Sequence, residues 1–411
     1  MQTVGPVWVE VDLDRIAENT RTVRGLIGER RLMAVVKGDA YGHGAVETAR
    51  TVLANGATDL AVTTLYEALE LRQAGIAAPI LVFNGMLPAD ADAAVAADLT
   101  CNVFTRESAA ALSAAAARAG AEVRAHIEVD TGMSRYGVPA ERAVAFIEEC
   151  LALPGLVVEG VFTHFVAAHR ADRRTATQFS KFMQVVTELA ARGIDIPLKH
   201  AANSEAVLLL PETWLDMVRV GNLLYGLYPV DRPPGGPDLK SAWKLKARVL
   251  NVMDVPAGTP IGYGPDYVTR RPLTVATVPV GYADGAGVEP LSRSLHLPMI
   301  VRSIVATVAG WFKRSAGFFS LTRGLVTFDG RELPVLGRIA MQQLIVDATG
   351  RQLSIGDTVQ VNLRRTIVSP RIPKVYLADG RPVMIRTVLG ETSLRGGAAG
   401  GTGDGGPESA E

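Results

Sequence analysis

The sequence predicts an α/β fold class: a (β/α)8 TIM-type barrel followed by a mostly β C-terminal domain. Three observations predict it. Short apolar, β-branched runs alternate with alanine-rich amphipathic stretches from about residue 30 to about residue 222. The pattern changes at the Pro- and Gly-rich "DRPPGGPD", residues 231–238. Beyond it, strand-like runs with Gly-rich turns replace helical periodicity almost completely. At 411 residues the chain has the length for two such domains.

In order, the barrel candidates are "LMAVVK", "DLAVTT", "PILVFNG", "TCNVFT", "VRAHIEVD", "LVVEGVFTH", "LKHAAN" and "DMVRVG". Between them lie helical patterns such as "GAVETARTVLANG", "LYEALELRQAG" and "QFSKFMQVVTELAARG". Eight consecutive units without an interrupting hairpin favour a closed barrel over an open doubly wound sheet. No Gly-x-Gly-x-x-Gly fingerprint follows the first run, which weakens a dinucleotide-binding reading. The second domain is read from "WKLKARVLNVMDV", "LTVATVPVGYA", "LVTFDG", "ELPVLGRI", "LIVDAT" and "DTVQVNL". A segment at 291–324, containing "AGWFKRSAGFFSL", interrupts this series as an insertion. The tail from residue 396 is Gly-rich, lacks large apolar residues, and reads as disordered. The expected domains are therefore 12–235 and 236–391, with a disordered tail at 396–411.

Lys and Arg together number 42, as do Asp and Glu, so the formal net charge is zero. That balance leaves no electrostatic footprint for nucleic acid or an anionic membrane. Only two cysteines occur, Cys101 and Cys150, which excludes a disulfide framework and fits a reducing cytosol. The N-terminal "MQTVGPVWVEVDLDRI" shows no signal-peptide pattern, and no apolar run is long enough to cross a bilayer. A cytoplasmic location is expected.

In a barrel, functional groups gather at the C-terminal ends of the strands. In "AVVKGDAYGHG", residues 34–44, Lys37 ends the first barrel strand, where an ammonium is costly to desolvate unless it is used. "HAANS" places Asn203 and Ser204 after the seventh strand, with Ser204 expected to cap the next helix. "RVGN" places Gly221 and Asn222 after the eighth. Small residues in these two loops suit a phosphate, though Asn, Ser and Gly are also ordinary turn residues. Arg135 in "VDTGMSRYG" could clamp a carboxylate. His164 in "FTHF" and Arg219 in "VRVG" face the same mouth. A lysine, an anion nest and a carboxylate clamp together suit pyridoxal 5'-phosphate as cofactor, with the lysine forming a Schiff base.

These segments resemble the alanine racemase family. "AVVKGDAYGHG" resembles its cofactor-lysine motif, and "DTGMSRYG", "GVFTHF", "HAANS", "MVRVGNLLYGLYP", "GYGPDY", "PVGYADG" and "GRIAM" follow in the family order, from about residue 7 to about residue 391. The resemblance implies that "VWVEV", residues 7–11, joins the β domain. It also implies a head-to-tail homodimer in which each site combines one subunit's barrel mouth with the other's β domain. Lys37 and Tyr263 would be the two catalytic bases on opposite cofactor faces. A phenol near pKa 10 is a poor base at neutral pH, which the family resolves through contacts matching His164 and Arg219. Arg219 would also face the pyridine nitrogen, and Tyr41, Ser204, Gly221 and Asn222 would contact the phosphate. Arg135 and Met341 would bind the substrate carboxylate, and Tyr282 would line the access channel. The implied reaction interconverts L- and D-alanine. The alternatives are a racemase of serine or a larger amino acid, or an aldolase or decarboxylase on the same scaffold.

The sequence departs from the family at three places. Glu128 stands where many relatives carry a carbamylated lysine, and a direct pairing of Glu128 with Arg135 is expected in its stead. Gln342 follows Met341 where Asp is usual. The segment between "DTVQVNL" and "SPRIPKVY" lacks a tyrosine that in the family contacts the phosphate.

Overall fold

In the computed structural model the described residues are 4–168, 173–264, 266–288 and 323–394. The first strand, β1 (Val7–Asp12), leads into helix α1 (Leu13–Ile27), whose N-terminus is capped by the Asp12 side chain. There follow β2 (Arg31–Val35), the turn α2 (Lys37–Gly42), α3 (Ala45–Ala54), β3 (Asp59–Val62), α4 (Leu65–Gln73), β4 (Ile80–Gly85), α5 (Ala91–Ala96) and β5 (Thr100–Val103). The series continues with α6 (Arg106–Ala119), β6 (Val123–Asp130), the short β7 (Val138–Pro139), α7 (Ala140–Leu151) and β8 (Leu156–Phe162). It ends with α8 (Arg173–Ala191), β9 (Leu198–His200), α9 (Ser204–Leu209) and β10 (Met217–Val220).

The barrel strands pair in parallel in the order β10-β2-β3-β4-β5-β6-β8-β9. Two backbone bonds bring the ends of this row together: Asp216 N–H to the Lys199 carbonyl at 3.1 Å and Arg219 N–H to the Ala202 carbonyl at 3.0 Å. All eight strands expected from the sequence are present. Most of their residues are apolar because helices cover the outside while side chains fill the inside. Met33, Val35, Ala61, Leu81, Leu198 and Met217 make a separate inner cluster. On three of those strands the position two residues past the cluster is polar: Lys37 follows Val35, His200 follows Leu198, and Arg219 follows Met217. The period of two therefore carries the inside of the barrel from an apolar layer to a charged mouth.

The second domain contains β11 (Trp243–Arg248), β12 (Asn251–Val255), β13 (Leu273–Val278), β14 (Val326–Phe328), β15 (Arg331–Leu333), β16 (Val335–Leu336) and β17 (Leu344–Asp347). β18 (Thr358–Val361), β19 (Lys374–Ala378), β20 (Arg381–Thr387) and β21 (Gly390–Ser393) complete it. One sheet runs β15-β14-β18-β11-β1-β19-β20-β21 and the other β12-β13-β17-β16. β1 pairs antiparallel with β11 and parallel with β19, so the first strand lies inside the larger sheet. The hairpin β14–β15 turns on Asp329-Gly330 and β19–β20 on Asp379-Gly380, all four with positive φ. That is the backbone that a type I′ turn demands.

Cys101 and Cys150 are buried and unpaired. No helix among the described residues is long and apolar enough to cross a membrane. The expected tail lies outside the described residues, as does the insertion up to residue 322.

Candidate active site

Lys37 opens a turn of reversed hand. Gly38, Asp39, Ala40 and Tyr41 have φ of 61°, 53°, 53° and 56°, all left-handed. Each non-glycine residue there costs about 1–2 kcal/mol, so the turn must be held by its surroundings. Ala40 N–H donates to the Val36 carbonyl at 2.7 Å and Gly44 N–H to the Asp39 carbonyl at 2.8 Å. The Asp39 carboxylate accepts from Ala45 N–H at 2.7 Å and pairs with Lys374 at 2.8 Å. Gly38 N–H donates to Glu67 Oε1 at 2.6 Å, while Glu67 Oε2 accepts from the backbone of Thr63 and Thr64. Glu67 is thus both the capping-box residue of α4 and a strut under Lys37. Burial lowers the Lys37 pKa, the Arg135 charge lowers it further, and Glu67 partly offsets both.

Tyr41, at the far end of the turn, meets the loop after β10. A Cβ on Gly221 would stand 2.6 Å from the Tyr41 hydroxyl oxygen, so only bare backbone fits there. Gly221 N–H donates to Ser204 Oγ at 3.1 Å, which leaves the Ser204 hydroxyl hydrogen available. The helix cap is Asn203, not Ser204: its Oδ1 accepts from the backbone N–H groups of Glu205 and Ala206 at 3.0 and 3.1 Å. Ser204 is the first helical residue, and Asn222 follows Gly221 at the start of a 3-10 turn. Burial pushes the Tyr41 phenol up to about 12, so it stays a hydroxyl. Behind it, Tyr225 donates to the Val35 carbonyl at 2.8 Å and stacks on His43.

Arg219 is almost wholly buried and donates to the Thr163 carbonyl at 2.8 Å, the His200 carbonyl at 3.1 Å and the Ala201 carbonyl at 3.2 Å. Its Nη1 also reaches His200 Nδ1 at 2.8 Å, and Nη2 reaches His164 Nδ1 at 3.3 Å. Burial lowers its pKa to about 10, which still leaves it a cation at neutral pH. His164 is lowered to about 3 by burial, then by the charges of Arg219, Arg135 and Lys37, and is neutral. The mouth is thus rich in cations.

Glu128 is the buried anion within it, and its partner differs from the expected one. Its Oε2 accepts from Asn102 Nδ2 at 2.6 Å, and Arg135 acts on it through charge and not through an ion pair within 4 Å. Arg135 instead lies exposed over the Tyr136 ring at 5.6 Å, on a turn held by Asp130 accepting from Gly132, Met133 and Ser134 N–H. Burial raises the Glu128 pKa despite the Asn102 bond and the Arg219 charge.

Tyr263, Tyr282 and Met341 occupy one end of the four-stranded sheet. Tyr282 N–H donates to the Ala340 carbonyl at 3.0 Å and Ala283 N–H to the Met341 carbonyl at 2.9 Å, which locks those two turns together. The turn around Tyr263 packs beside Arg338, which is paired with Asp266. No hydrogen bond or ion pair among the described residues links this set to the barrel mouth.

Sequence reasoning missed Glu67, Asn102, His126, His200 and Gln178. The signal for His126 and His200 was the in–out alternation of their strands, which puts them on the Arg219 side. Gln178, on α8, donates to the His164 carbonyl and accepts from Val166 N–H, and no local pattern marks it.

The chain matches the model of the alanine racemase N-terminal domain over residues 11–229 and that of the C-terminal domain over 242–369. It is 38% identical over 399 residues to an alanine racemase of Methanococcus maripaludis, covering 90% of this chain and 99% of that protein. It is 41% identical over 369 residues to one from Desulfosudis oleivorans, covering 86% of each. The solved alanine racemase of Clostridium difficile 630 superposes with a TM-score of 0.83 at 29% identity, covering 95% of this chain and all of that one. That of Streptomyces lavendulae gives 0.77 at 31% identity, covering 91% and 97%. With family models across both domains and relatives matched over nearly their full length, the chain belongs to the alanine racemase family and is an amino-acid isomerase.

Proposed function

We propose that the protein interconverts L- and D-alanine with pyridoxal 5'-phosphate, in sites shared across a homodimer. The observation that carries this reading is the pairing, in one mouth, of an amine held below its ordinary pKa with the hydroxyl-lined cradle of Tyr41, Ser204 and Gly221. Those residues fit the cofactor. An amine must be neutral to bond an aldehyde, and Lys37 is biased that way. Hydroxyls and bare backbone at Gly221 and Asn222 suit a phosphate. When bound, pyridoxal phosphate supplies an electron sink for charge at the substrate α-carbon.

The chain's own groups do the rest. Arg219, a donor that keeps its charge, would lie toward the ring nitrogen of the bound cofactor without giving up a proton to it. Lys37 moves a proton at the α-carbon on one face. Tyr263, from the other subunit, moves one on the opposite face, which is what inversion of a stereocentre requires. His164, neutral and tied to Arg219, conditions the Tyr263 phenol. Arg135 and the Met341 backbone hold the substrate carboxylate, and Tyr282 borders the approach. The fractional exposure of Tyr263 (74%), Met341 (58%) and Tyr282 (51%) supports their being covered by a second copy. The domain limits 12–235 and 236–391, with strand 7–11 in the second, belong to the same reading.

The purified protein should absorb visible light, and Lys37→Ala should remove that band. In deuterated buffer, L- and D-alanine should both exchange their α-hydrogen while converging on a racemic mixture. A protein that exchanges neither, or prefers serine or a larger amino acid in a side-by-side screen, would displace alanine from this reading.

A further inference from the structure

A chain of polar side chains descends inside the barrel from the mouth toward the opposite end. Arg219 Nη1 lies 2.8 Å from His200 Nδ1, His200 Nε2 lies 2.8 Å from His126 Nδ1, and His126 Nε2 lies 3.3 Å from Glu159 Oε1. Arg219, His200 and His126 are buried, whereas the Glu159 side chain keeps 25% of its exposure. A guanidinium donates and never accepts. His200 must therefore present a bare Nδ1 to Arg219 and carry its hydrogen on Nε2. That hydrogen needs an acceptor, so His126 Nδ1 is bare as well and its hydrogen sits on Nε2. Glu159 is the acceptor that closes the series. Both ends dictate the same arrangement of hydrogens.

The local backbone is built for this. Where β6 pairs with β8, Ala125 faces Val158 and His126 faces Gly160, so Glu159 is an extra residue in the ladder. Such a bulge re-aims a side chain. Gly160 leaves the space that the His126 ring fills, since a Cβ there would come within 2.6 Å of the ring carbons. Thr100 Oγ1 also donates to Glu159 Oε1 at 3.4 Å, and the Arg124 guanidinium stands 4.0 Å from it.

We infer that Glu159 is a positioning residue: from the far end of the barrel it fixes the tautomers of His126 and His200, and so keeps Arg219 fully engaged as a donor at the mouth. The functional half of this inference rests on the reading of Arg219 as an active-site group. The structural half stands without it. A reversed chain would aim a His200 N–H at the guanidinium and cost Arg219 one of its holders.

The test is 15N NMR of the histidine side chains in the full-length purified protein at neutral pH. Both His126 and His200 should be neutral with the hydrogen on Nε2. Either ring carrying it on Nδ1, or a charged His200, overturns the inference without any variant. In Glu159→Leu, which removes the acceptor, the His126 signals should shift toward a mixture of tautomers. Its kcat should drop about tenfold, the scale of one lost hydrogen bond, with KM within about twofold. Glu159→Gln, whose amide oxygen still accepts, should restore both the shifts and kcat to within about threefold. Unchanged shifts in Glu159→Leu overturn the inference whatever the activity does, and altered shifts with unchanged kcat overturn its link to Arg219. Should the protein show no racemisation at all, the nitrogen shifts still decide the tautomers, so the two failures are separable.

Discussion

At the barrel mouth the buried guanidinium is already engaged: Arg219 is 3% exposed and bonded to His200, Thr163, Ala201 and His164. At the end of the four-stranded sheet, Tyr263 stands 74% exposed beside a turn of its own domain. The first region is assembled by one chain, and the second is displayed by it. The difference follows from cost. A desolvated cation must be surrounded before it is stable, so the mouth needs its network at folding. A phenol loses little in water, so it is stable exposed, which the shared-site reading proposed above requires of the free chain.

The sharpest way to break this comparison is to separate the two halves. Lys37→Ala and Tyr263→Phe homodimers should each lose roughly a thousandfold or more in racemisation, the scale of a lost general base. Mixed and reassembled, half the dimers should be hybrids that carry one intact site, restoring about a quarter of the wild-type rate. No recovery on mixing, with hybrids demonstrated by mass, would place both residues in the same subunit's site. Tyr263→Phe alone should also slow α-hydrogen exchange from one enantiomer much more than from the other.

A smaller effect isolates the cradle. Gly221→Ala drives a Cβ against the Tyr41 hydroxyl, which should weaken pyridoxal phosphate binding about tenfold or more. The companion Gly221→Ala/Tyr41→Phe chain should recover part of the loss, as judged by cofactor titration. Equal binding by parent and Gly221→Ala would remove Gly221 from the phosphate site.

The mildest test concerns acid. His43, His164 and His200 lie in the barrel, with burial the leading cause of their lowered pKa; His43 and His164 fall to about 3. A group whose folded pKa is lowered is neutral when folded and binds a proton when unfolded, so stability is lost as pH falls below about 6.5, down to the folded value. For the fully buried His43 this is about 1.4 kcal/mol per pH unit. Thermal unfolding should therefore move to lower temperature between pH 7 and pH 5, and His43→Gln should flatten that slope. A stability that is level across this range would mean that these rings take up protons as readily in the folded as in the unfolded chain.

Periodicity exposed the barrel because parallel strands covered on both faces read as uninterrupted apolar runs. It was weaker past residue 363, where β19 to β21 carry Arg381, Arg386 and Glu391 within their strands, and the hairpin turning on Asp379-Gly380 was not read. Motif order made Lys37, Arg219 and Tyr263 legible. What stayed hidden was contact between distant segments. Asn102, not Arg135, takes the Glu128 carboxylate, because two adjacent parallel strands place them side by side inside the barrel, while Arg135 sits on the exposed loop after β6 and reaches Glu128 by charge alone. Spacing along a chain holds no record of such neighbours.

The mirror-handed turn after Lys37 has one more consequence. The reversed turn and α3 meet at Asp39, which takes both the Gly44 and the Ala45 N–H, so fraying at the start of α3 reaches the turn through that one residue. The height of the lysine amine above the sheet then depends on Asp39 and Glu67 as well as on β2, and amide exchange at Ala40 should rise with substitutions that loosen the first turn of α3.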